Sequence, residues 1–546
     1  MSNRAGGKSN GISEFQPDFN GESTLIHPAI GVVGDVAYVG VRLPGKDRKN
    51  GDNVTVTTKR FCLITSAGHI LPANGLRTKL GGLSCSPYPM ASRWPLNDIK
   101  RFCDEKLLAN SPLKSSEVLT HVIDSWKYYL ELPDVAGYVY DALWDIGTYF
   151  HHLFNSYPYD YKGGIKRSGK TKALTISSCI AFNAVLSSDV TVSAMFRLTH
   201  QTKATLLMDE TERLANPHES EEYRNIILAG YKHGGVVFRS EKVEDNWVPT
   251  AFDVYSPKRL ANISGLDSVL EDRVIQTYMM RPTDRKIANR EVNPNDTRWA
   301  DLRCELYRLY LTYWKEVKGC YEKLNELSRE DHLIDLLKNQ TAGAVEEADL
   351  KFLTARQLEL WKPILALALF FDSSNPGGTP ILPTMIEMAV DRSLQNQTDN
   401  TVESPEVILV QAMLRMVKDE SWSDGYVPVT VIKDAMKAEY NEEAKWLNEM
   451  WVGRMLGRFG FGRGLTGKRR VGGGIHYMLI RKAVEAFAQR LGVQVGEEQG
   501  SSTILTHGGS QVTLEDDGFV SAWLRMPGVP PVKLRWKRPD RSPEAT

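Results

Sequence analysis

The chain has 546 residues, 42% hydrophobic and 25% charged, which is ordinary for a soluble globular protein of roughly three or four domains of about 150 residues each. Its 67 basic and 67 acidic residues leave no net charge, so binding to nucleic acid or to an anionic membrane requires a local patch. Its six cysteines form no C-x-x-C pair, and it shows neither a signal peptide nor a bilayer-spanning apolar run, so the sequence predicts a cytoplasmic protein without a zinc site or a membrane partner.

Three segments come first along the chain. Residues 1–23 are polar and rich in glycine, serine and asparagine, which predicts disorder. Residues 24–94 hold short β-rich runs separated by turn signals and predict a small β-domain. Residues 95–154 carry apolar residues at helical spacing and predict a helical segment. Its many aromatic residues fit a base-stacking surface or a packed core, and their helical spacing favours the core.

A phosphate-binding loop is the next feature. The stretch from Gly164 through Ser168, Gly169 and Lys170 to Thr171 matches G-x-x-x-x-G-K-[ST]. Glycines let the backbone curl so that its N–H groups face phosphate oxygens, and the lysine adds a positive charge for the β- and γ-phosphates. The threonine hydroxyl suits a Mg²⁺ shell. A short aromatic run before the loop and a helical pattern after it predict a strand and a helix, whose N-terminal dipole favours the phosphates.

Two carboxylates follow in the same predicted core, residues 155–282. The apolar run 204–208 ends in Asp209 and Glu210, as a buried strand with two acidic residues at its tip would. We expect Asp209 to hold Mg²⁺ and Glu210 to polarise the attacking water. The alternative is a solvated acidic helix start, and the loop upstream favours the catalytic interpretation.

Two further residues are candidates for sensing the γ-phosphate. Ser256 ends a predicted strand over residues 252–258, and the alternative for it is an ordinary strand-to-turn serine. Arg273 follows a short predicted helix and is a candidate catalytic arginine that reaches the nucleotide of a neighbouring subunit. The alternative for Arg273 is a surface ion pair with Asp272.

The rest of the chain is predicted as a helical lid or insertion (283–400), a separate domain (405–490) and a partly disordered tail (491–546). Residues 396–401 read as a polar linker. Residues 405–490 show helix, helix, hairpin and helix, which resembles a DNA-binding winged helix, although a protein-docking winged helix is the alternative. Basic residues without acidic neighbours favour DNA as partner, and the candidates are Arg454, Arg458, Arg463, Lys468, Arg469 and Arg470.

Taken in this order, the motifs resemble the AAA+ class of ring ATPases. Residues 135–370 resemble an uncharacterised ATPase family of archaea, bacteria, phages and plasmids, whose members often accompany primase–helicase proteins. The matching stretches are 168–171, 207–210, 230–235 with Arg239, 256–258, 270–273 and 356–363. Two departures stand out: Ser256 occupies a position where asparagine is common, and a long insertion covers residues 282–349.

The resemblance implies an α/β multidomain protein with a P-loop NTPase (AAA+/RecA-like) core, a helical lid, an N-terminal β-domain and a C-terminal winged helix. It also implies a homo-oligomeric ring and makes Arg356 a candidate ligand of the γ-phosphate, although a solvated helix arginine is equally consistent. In it the basic turn at residues 230–235, with Arg239, either faces a central pore and touches a phosphate backbone or is a plain hairpin turn.

The leading functional hypothesis is a nucleic-acid-dependent ATPase, helicase- or translocase-like, of replication or recombination, which uses ATP and Mg²⁺. The alternative is a nucleotide-switched regulatory or loading protein that binds DNA without unwinding it. A kinase is a third possibility, but the sequence shows no acceptor site and its acidic strand tip suits hydrolysis better.

Overall fold

The computed structural model divides into two compact units, Met1–Asn396 and Gln397–Thr546, which are described separately. Predictions of disorder for residues 1–23 lie outside the described residues. The structure describes residues 24–48, 55–87, 92–108, 113–132, 134–164, 167–188, 190–209, 221–243, 245–262, 266, 268–329, 332–341, 345, 350, 353, 355–403, 405–419, 421–439, 447–459, 461, 467–471, 474–490, 505–507, 510–514, 519–526 and 529–537.

Two small sheets come first in the first unit. One is antiparallel with the strand order β2-β3-β4-β5, and the other has the order β1-β7-β6. The His27 ring lies 2.8 Å from the carbonyl oxygen of His200, so this region contacts the core that follows. The strands are β1 (Leu25–Ile26), β2 (Ile30–Val33), β3 (Val36–Arg48), β4 (Thr55–Thr65), β5 (Ile70–Pro72), β6 (Arg77–Thr78) and β7 (Gly81–Leu83).

Three helices follow: α1 (Leu96–Leu108), α2 (Ser115–Tyr129) and α3 (Val135–Gly147). Their large aromatic side chains Trp126, Tyr140 and Trp144 are fully buried and belong to one hydrophobic core with the helices further along the chain. For these three residues the predicted core role is confirmed, because a ring with no exposed face offers nothing for a base to stack on.

A five-stranded parallel sheet forms the centre of the first unit, so the described chain is a mixed α/β structure. The strand order is β14-β8-β13-β10-β9, and every neighbouring pair is parallel. The elements are β8 (Tyr159–Gly164), α4 (Lys170–Ile180), β9 (Val185–Ser187), α5 (Val192–Thr202), β10 (Leu206–Met208), α6 (Glu221–Ala229), β11 (Val236–Val243), β12 (Asn246–Asp253), β13 (Lys258–Ala261), α7 (Ser268–Glu271) and β14 (Val274–Met279).

The parallel arrangement brings several strand ends to one edge of the sheet. β8 leads into the phosphate-binding loop, β10 into Asp209 and β13 into Asn262, and Met279 at the end of β14 pairs with Gly164. Because the carboxyl ends of parallel strands meet at the same edge, these residues converge although they are far apart in sequence.

The predicted strand over residues 252–258 is wrong in its bounds. Residues 246–253 belong to an antiparallel hairpin with β11, and the strand of the central sheet is β13, which begins at Lys258. The reason is that alternating β-rich residues look the same in a surface hairpin and in a sheet strand. The hairpin exposes Phe238 and Trp247, whose side chains are 64% and 71% accessible.

A cluster of buried charged side chains joins α3 to the central sheet. Lys162 lies 2.6 Å from Asp141 and 3.3 Å from Asp160, and Arg259 lies 2.6 Å from Asp160, 2.9 Å from Asp141 and 3.5 Å from Asp145. The cluster thus contains three carboxylates and two cations. Burial raises the pKa of Asp145, which makes the longest of these contacts, to about 7. The cluster is therefore close to neutral when Asp145 carries a proton.

Further helices follow, and the last of them continues past Asn396, where the first unit ends. They are α8 (Arg285–Asn289), α9 (Thr297–Arg329), α10 (Leu333–Thr341), α11 (Ala355–Ser374) and α12 (Leu382–Glu403). The predicted polar linker at residues 396–401 lies inside α12, because a helix that is already nucleated extends through residues of only moderate helix propensity. Within the described part of the chain, no helix combines the length and the apolar character needed to cross a membrane.

The second unit contains two antiparallel sheets, with the orders β15-β17-β16 and β18-β19-β20-β21. The hydrophobic cluster of this unit draws on the helices and on β15 and β17. The helices and strands described for this unit are α13 (Pro405–Lys418), β15 (Gly425–Pro428), α14 (Val429–Glu439), α15 (Glu449–Arg458), β16 (Lys468–Val471), β17 (Gly474–Leu479), α16 (Arg481–Arg490), β18 (Leu505–His507), β19 (Ser510–Leu514), β20 (Phe519–Met526) and β21 (Val529–Lys537).

Candidate functional site

The phosphate-binding loop lies between β8 and the first turn of α4. Gly164 has a φ of 136°, and a Cβ there would lie 2.3 Å from the carbonyl oxygen of Met279. Gly169 has a φ of 93°, and a Cβ there would lie 2.9 Å from Cδ2 of Leu130. Both positions require glycine for conformation, and Gly164 requires it also for space, because its close neighbour is backbone. The loop thus leads into a helix N-terminus, where backbone N–H groups and the helix dipole favour an anion.

Ser168 supplies an unsatisfied polar group inside this loop. Its side chain is 2% exposed, and its hydroxyl has no hydrogen-bond partner among the described residues. A buried hydroxyl without a partner loses free energy relative to water, and a phosphate oxygen is an acceptor that would satisfy it. The side chain therefore fits a bound polyphosphate.

The acidic strand tip and the loop meet, as the sequence predicts. Asp209 directly follows β10, and its Oδ2 accepts a hydrogen bond of 2.7 Å from Oγ1 of Thr171. Lys170 donates a hydrogen bond of 2.6 Å from Nζ to the carbonyl oxygen of Gly164. A hydroxyl and a carboxylate side by side are hard oxygen ligands, and Mg²⁺ takes one or two of these together with phosphate oxygens. The residues present therefore fit Mg²⁺ bound to a nucleotide.

These residues line a cavity of about 860 Å³, a size suited to a small-molecule ligand. Its lining contains a polar group of side chains from the loop and strand tips and an apolar group from two other segments. The polar group is Arg167, Ser168, Lys170, Thr171, Asp209 and Asn262, and the apolar group is Leu130, Pro282, Ile287 and Ala288. The lining also includes Tyr129, Glu131, Gly169 and Lys172. A ligand with an anionic end and a flat apolar end matches this division.

Asn262, and not Ser256, lies in this cavity. Ser256 is fully buried before the start of β13, where its hydroxyl accepts a 3.2 Å hydrogen bond from Lys258. Asn262 follows the other end of β13, and the Tyr161 hydroxyl donates to its Oδ1, which orients the amide. The prediction for Ser256 therefore fails, because it rested on the wrong strand bounds. The sequence signal for Asn262 was weak, because only Leu260 and Ala261 precede it as apolar residues, after the charged Lys258 and Arg259.

Arg273 and Arg356 lie at the other edge of the sheet. The backbone N–H of Tyr159 donates to the carbonyl oxygen of Arg273, so Arg273 lies beside the start of β8, about 17 Å from its loop end by the strand rise per residue. The two guanidinium groups lie 5.2 and 5.0 Å from the ring centre of Tyr231. Neither residue lines the cavity.

The prediction that Arg356 binds the nucleotide of its own chain is therefore wrong. Its guanidinium donates to the Tyr231 hydroxyl and lies 2.9 Å from Glu359, which is one helical turn further along α11. The insertion before α11 obscures the position of this helix in the sequence. Only the tertiary structure shows that the helix begins at the edge remote from the phosphate-binding loop.

Lys232 of the basic turn at residues 230–235, and Arg239, form ion pairs with acidic side chains at the surface of the same chain. Lys232 pairs with Glu359 at 3.0 Å, and Arg239 pairs with Glu222 at 3.1 Å and stacks on the Phe196 ring at 5.3 Å. The turn leads into the β11–β12 hairpin. Of the two alternatives, this pairing favours the plain hairpin turn.

The basic residues of the second unit lie on its hairpin and on α15. Arg469 stacks on the Tyr426 ring with its guanidinium 3.9 Å from the ring centre. The side chains of Lys468, Arg469, Arg470 and Arg454 are exposed. Arg463, the side chain of Arg458 and, in the first unit, Glu210 lie outside what the structure describes.

Neither a protein-family model nor a curated protein matches the chain. Solved structures with detectable similarity include the SCCmec type IV Cch active helicase, a full-length MCM homologue from Methanopyrus kandleri, and Drosophila ORC bound to DNA, each 12% identical. The TM-scores are 0.40, 0.29 and 0.18; the matches cover 85%, 66% and 70% of this chain and 95%, 78% and 94% of the respective structures. Because all three scores are low, the function is derived from the site.

Proposed function

We propose that this chain is a Mg²⁺-dependent ATP hydrolase that works on nucleic acid, helicase- or translocase-like. The observation that carries the proposal is the 2.7 Å hydrogen bond between Thr171 and Asp209 in the cavity that Lys170 also lines. A phosphate-binding loop alone could bind many anions, and the carboxylate at the tip of β10 adds the Mg²⁺ ligand that phosphoryl transfer to water requires.

Each residue of the site has a role in this proposal. The loop N–H groups, Ser168 and Lys170 bind the phosphates, while Thr171 and Asp209 hold Mg²⁺, which neutralises phosphate charge when bound. Asn262 orients the attacking water or the γ-phosphate from between the loop and the acidic strand tip. Glu210 is proposed to take the proton from water.

The position of Arg273 supports an oligomer, and a closed ring is the arrangement we propose. From the far edge of the sheet Arg273 cannot contact the nucleotide of its own chain. If it acts in catalysis, the nucleotide that it contacts therefore belongs to a neighbouring copy. Arg356 shares Tyr231 with Arg273 and is proposed to stabilise the same edge.

DNA is the proposed nucleic acid, and residues 405–490 are proposed to bind it as a winged helix. Support comes from exposed Lys468, Arg469 and Arg470 on β16 and from the lack of net charge in the chain, which makes this a local positive feature. Such contacts with phosphates give affinity without sequence specificity.

Steady-state hydrolysis of ATP with and without DNA tests the proposal. We expect the wild-type protein to need Mg²⁺ and to turn over several-fold faster with single- or double-stranded DNA. Lys170→Ala should lower kcat at least 100-fold, because positioning and charge stabilisation are most of what such a site supplies. Lys318→Ala on the exposed side of α9 is the matched control. Full activity of the Lys170 variant would remove the loop from the mechanism.

A second candidate is a nucleotide-switched loader that binds DNA without moving along it. The observation that favours it is that Lys232 and Arg239 form ion pairs with acidic side chains of the same chain. In this candidate the two cations therefore do not bind a phosphate backbone that moves past the turn. A strand-displacement assay separates the two candidates. Hydrolysis that DNA stimulates, without strand separation or translocation, would establish the loader.

A further inference from the structure

The apolar part of the cavity is formed largely by a segment between β14 and α9. Pro282, Ile287 and Ala288 of this segment line the same cavity as Lys170, and Leu130 from the α2–α3 connection adds a fourth apolar contact. We refer to residues 282–290 as the strap. Since the polar side chains of the loop and of the strand tips account for phosphates and Mg²⁺, the apolar surface is left for the base of a nucleotide.

Glu131 holds the beginning of the strap. Its Oε2 accepts hydrogen bonds from the backbone N–H groups of Thr283 and Asp284 at 2.8 and 2.9 Å, and its Oε1 accepts one of 2.5 Å from the Thr283 hydroxyl. The Asp284 N–H group and the Thr283 hydroxyl hold the pKa of Glu131 below its ordinary value, which means that these contacts favour the ionised carboxylate. Hydrogen bonds to an ionised acceptor are the stronger kind.

Lys172 holds the end of the same segment. Its Nζ donates to the carbonyl oxygens of Ile287 and Ala288, each at 3.0 Å, at the C-terminal end of α8. These are the two residues whose side chains line the cavity. Lys172 directly follows Thr171 on α4, so the helix that carries the phosphate-binding residues also holds the apolar wall. Arg290 adds a hydrogen bond of 2.7 Å to the Tyr128 carbonyl oxygen.

We propose that Glu131 and Lys172 form a clasp that holds the strap in place as the base-side wall of the nucleotide site. The proposal rests on nucleotide binding at this cavity, as proposed above. Both clasp residues also line the cavity, but their charged groups are hydrogen-bonded to the strap, so we assign them a positioning role. They set the place of Pro282, Ile287 and Ala288, and those residues contact the base. The clasp therefore determines affinity for the nucleoside part of the substrate, whereas the loop determines affinity for its phosphates.

The test compares a ligand that has a base with one that lacks it. The full-length variants Glu131→Ala and Lys172→Met are measured for KM and kcat with ATP, and inorganic tripolyphosphate is titrated as a competitive inhibitor. We expect KM for ATP to rise about ten-fold in each variant, kcat to stay within about two-fold and the inhibition constant of tripolyphosphate to stay unchanged. Lys318→Ala, an exposed change on α9 outside both the strap and the cavity lining, is the control and should behave as wild type.

Two results would overturn the clasp. One is an unchanged KM for ATP in Glu131→Ala, and the other is weakening of tripolyphosphate in parallel with ATP, which would mean that the variants disturb the loop. Ile287→Ala gives an independent readout, because it leaves both clasp residues intact and should raise KM alone. If the wild-type protein neither hydrolyses ATP nor binds tripolyphosphate, the proposed function fails and the clasp fails with it. If ATP behaves normally in the clasp variants but not in Lys170→Ala, only the clasp fails.

Discussion

Replacing Asp145 by asparagine should change how the stability of the first unit depends on pH. Asp145 is fully buried beside Arg259, and burial raises its pKa from 3.8 to about 7. Because the pKa in the folded protein is above the value in the unfolded chain, its contribution to stability is fully present below pH 3.8 and is lost as pH rises to 7. In that window the folded state binds one proton more, so the free energy of unfolding falls by about 1.4 kcal/mol per pH unit.

The size of the effect on the melting temperature follows from the size of the unit. From pH 5 to pH 7 the lost free energy is about 2.3 kcal/mol, because the side chain is already half ionised at pH 7. For the 396 residues of the first unit, an unfolding entropy of about 2.1 cal/mol/K per residue converts this to about 3 °C in Tm. Asp145→Asn resembles the protonated side chain and does not titrate. The wild-type Tm should therefore fall by about 3 °C relative to the variant between pH 5 and pH 7 and then run parallel to it.

Differential scanning calorimetry of the full-length proteins at half-unit steps from pH 5 to pH 8 provides the measurement. The relevant quantity is the difference between the two Tm profiles as a function of pH. Any constant loss of stability that the asparagine itself causes therefore cancels. Asp301→Asn on the exposed side of α9 is the control and should give a profile parallel to the wild type. Parallel profiles for Asp145→Asn and the wild type would refute the reasoning, since they would show that Asp145 is ionised throughout this range.

Three further predictions concern the site and the second unit. Asn262→Ala should lower kcat for ATP by about 10- to 100-fold with little change in KM, whereas Ser256→Ala should leave kcat within about two-fold. Equal effects of the two substitutions would contradict the assignment of γ-phosphate sensing to Asn262 rather than to Ser256. Arg273→Ala should be inactive alone, yet mixing it with Lys170→Ala should restore part of the activity, because mixed neighbours join an intact loop to an intact arginine; no recovery in a mixed oligomer would argue against action between copies. Replacing residues 468–470 by glutamate should flatten the dependence of log Kd for DNA on log salt by about 0.9 for each lost phosphate contact, and an unchanged slope would place the DNA elsewhere.

Features encoded in consecutive residues were well predicted. The phosphate-binding loop follows from Gly164, Gly169 and Lys170, because left-handed backbone and a helix start are local properties of a few residues. Asp209 followed from an apolar run that ends in acid, and the structure brings it to Thr171. The helical character of residues 283–400 was also visible, since the period of a long helix such as α9 shows in any window of the sequence.

The features that the sequence could not determine depend on which segments meet. Period-two alternation indicates a strand but does not identify the strand it pairs with. The predicted strand therefore joined residues 252–253 to Ser256, whereas residues 252–253 belong to a surface hairpin. The residue that lines the cavity is Asn262. The apolar wall of the cavity lies more than 110 residues from the loop, and the contacts of Lys172 with Ile287 and Ala288 leave no trace in local composition.

What this sequence determines by itself is the chemistry of an anion-binding loop and of an acidic strand tip, because short-range backbone geometry and side-chain type define both. Only the tertiary structure shows that Arg356 lies at the far edge of the sheet, that Lys232 and Arg239 form intramolecular ion pairs, and that the strap lines one side of the cavity. The physical reason is that burial and charge pairing depend on neighbours brought together by the order of strands in the sheet, and that order is a property of the whole unit.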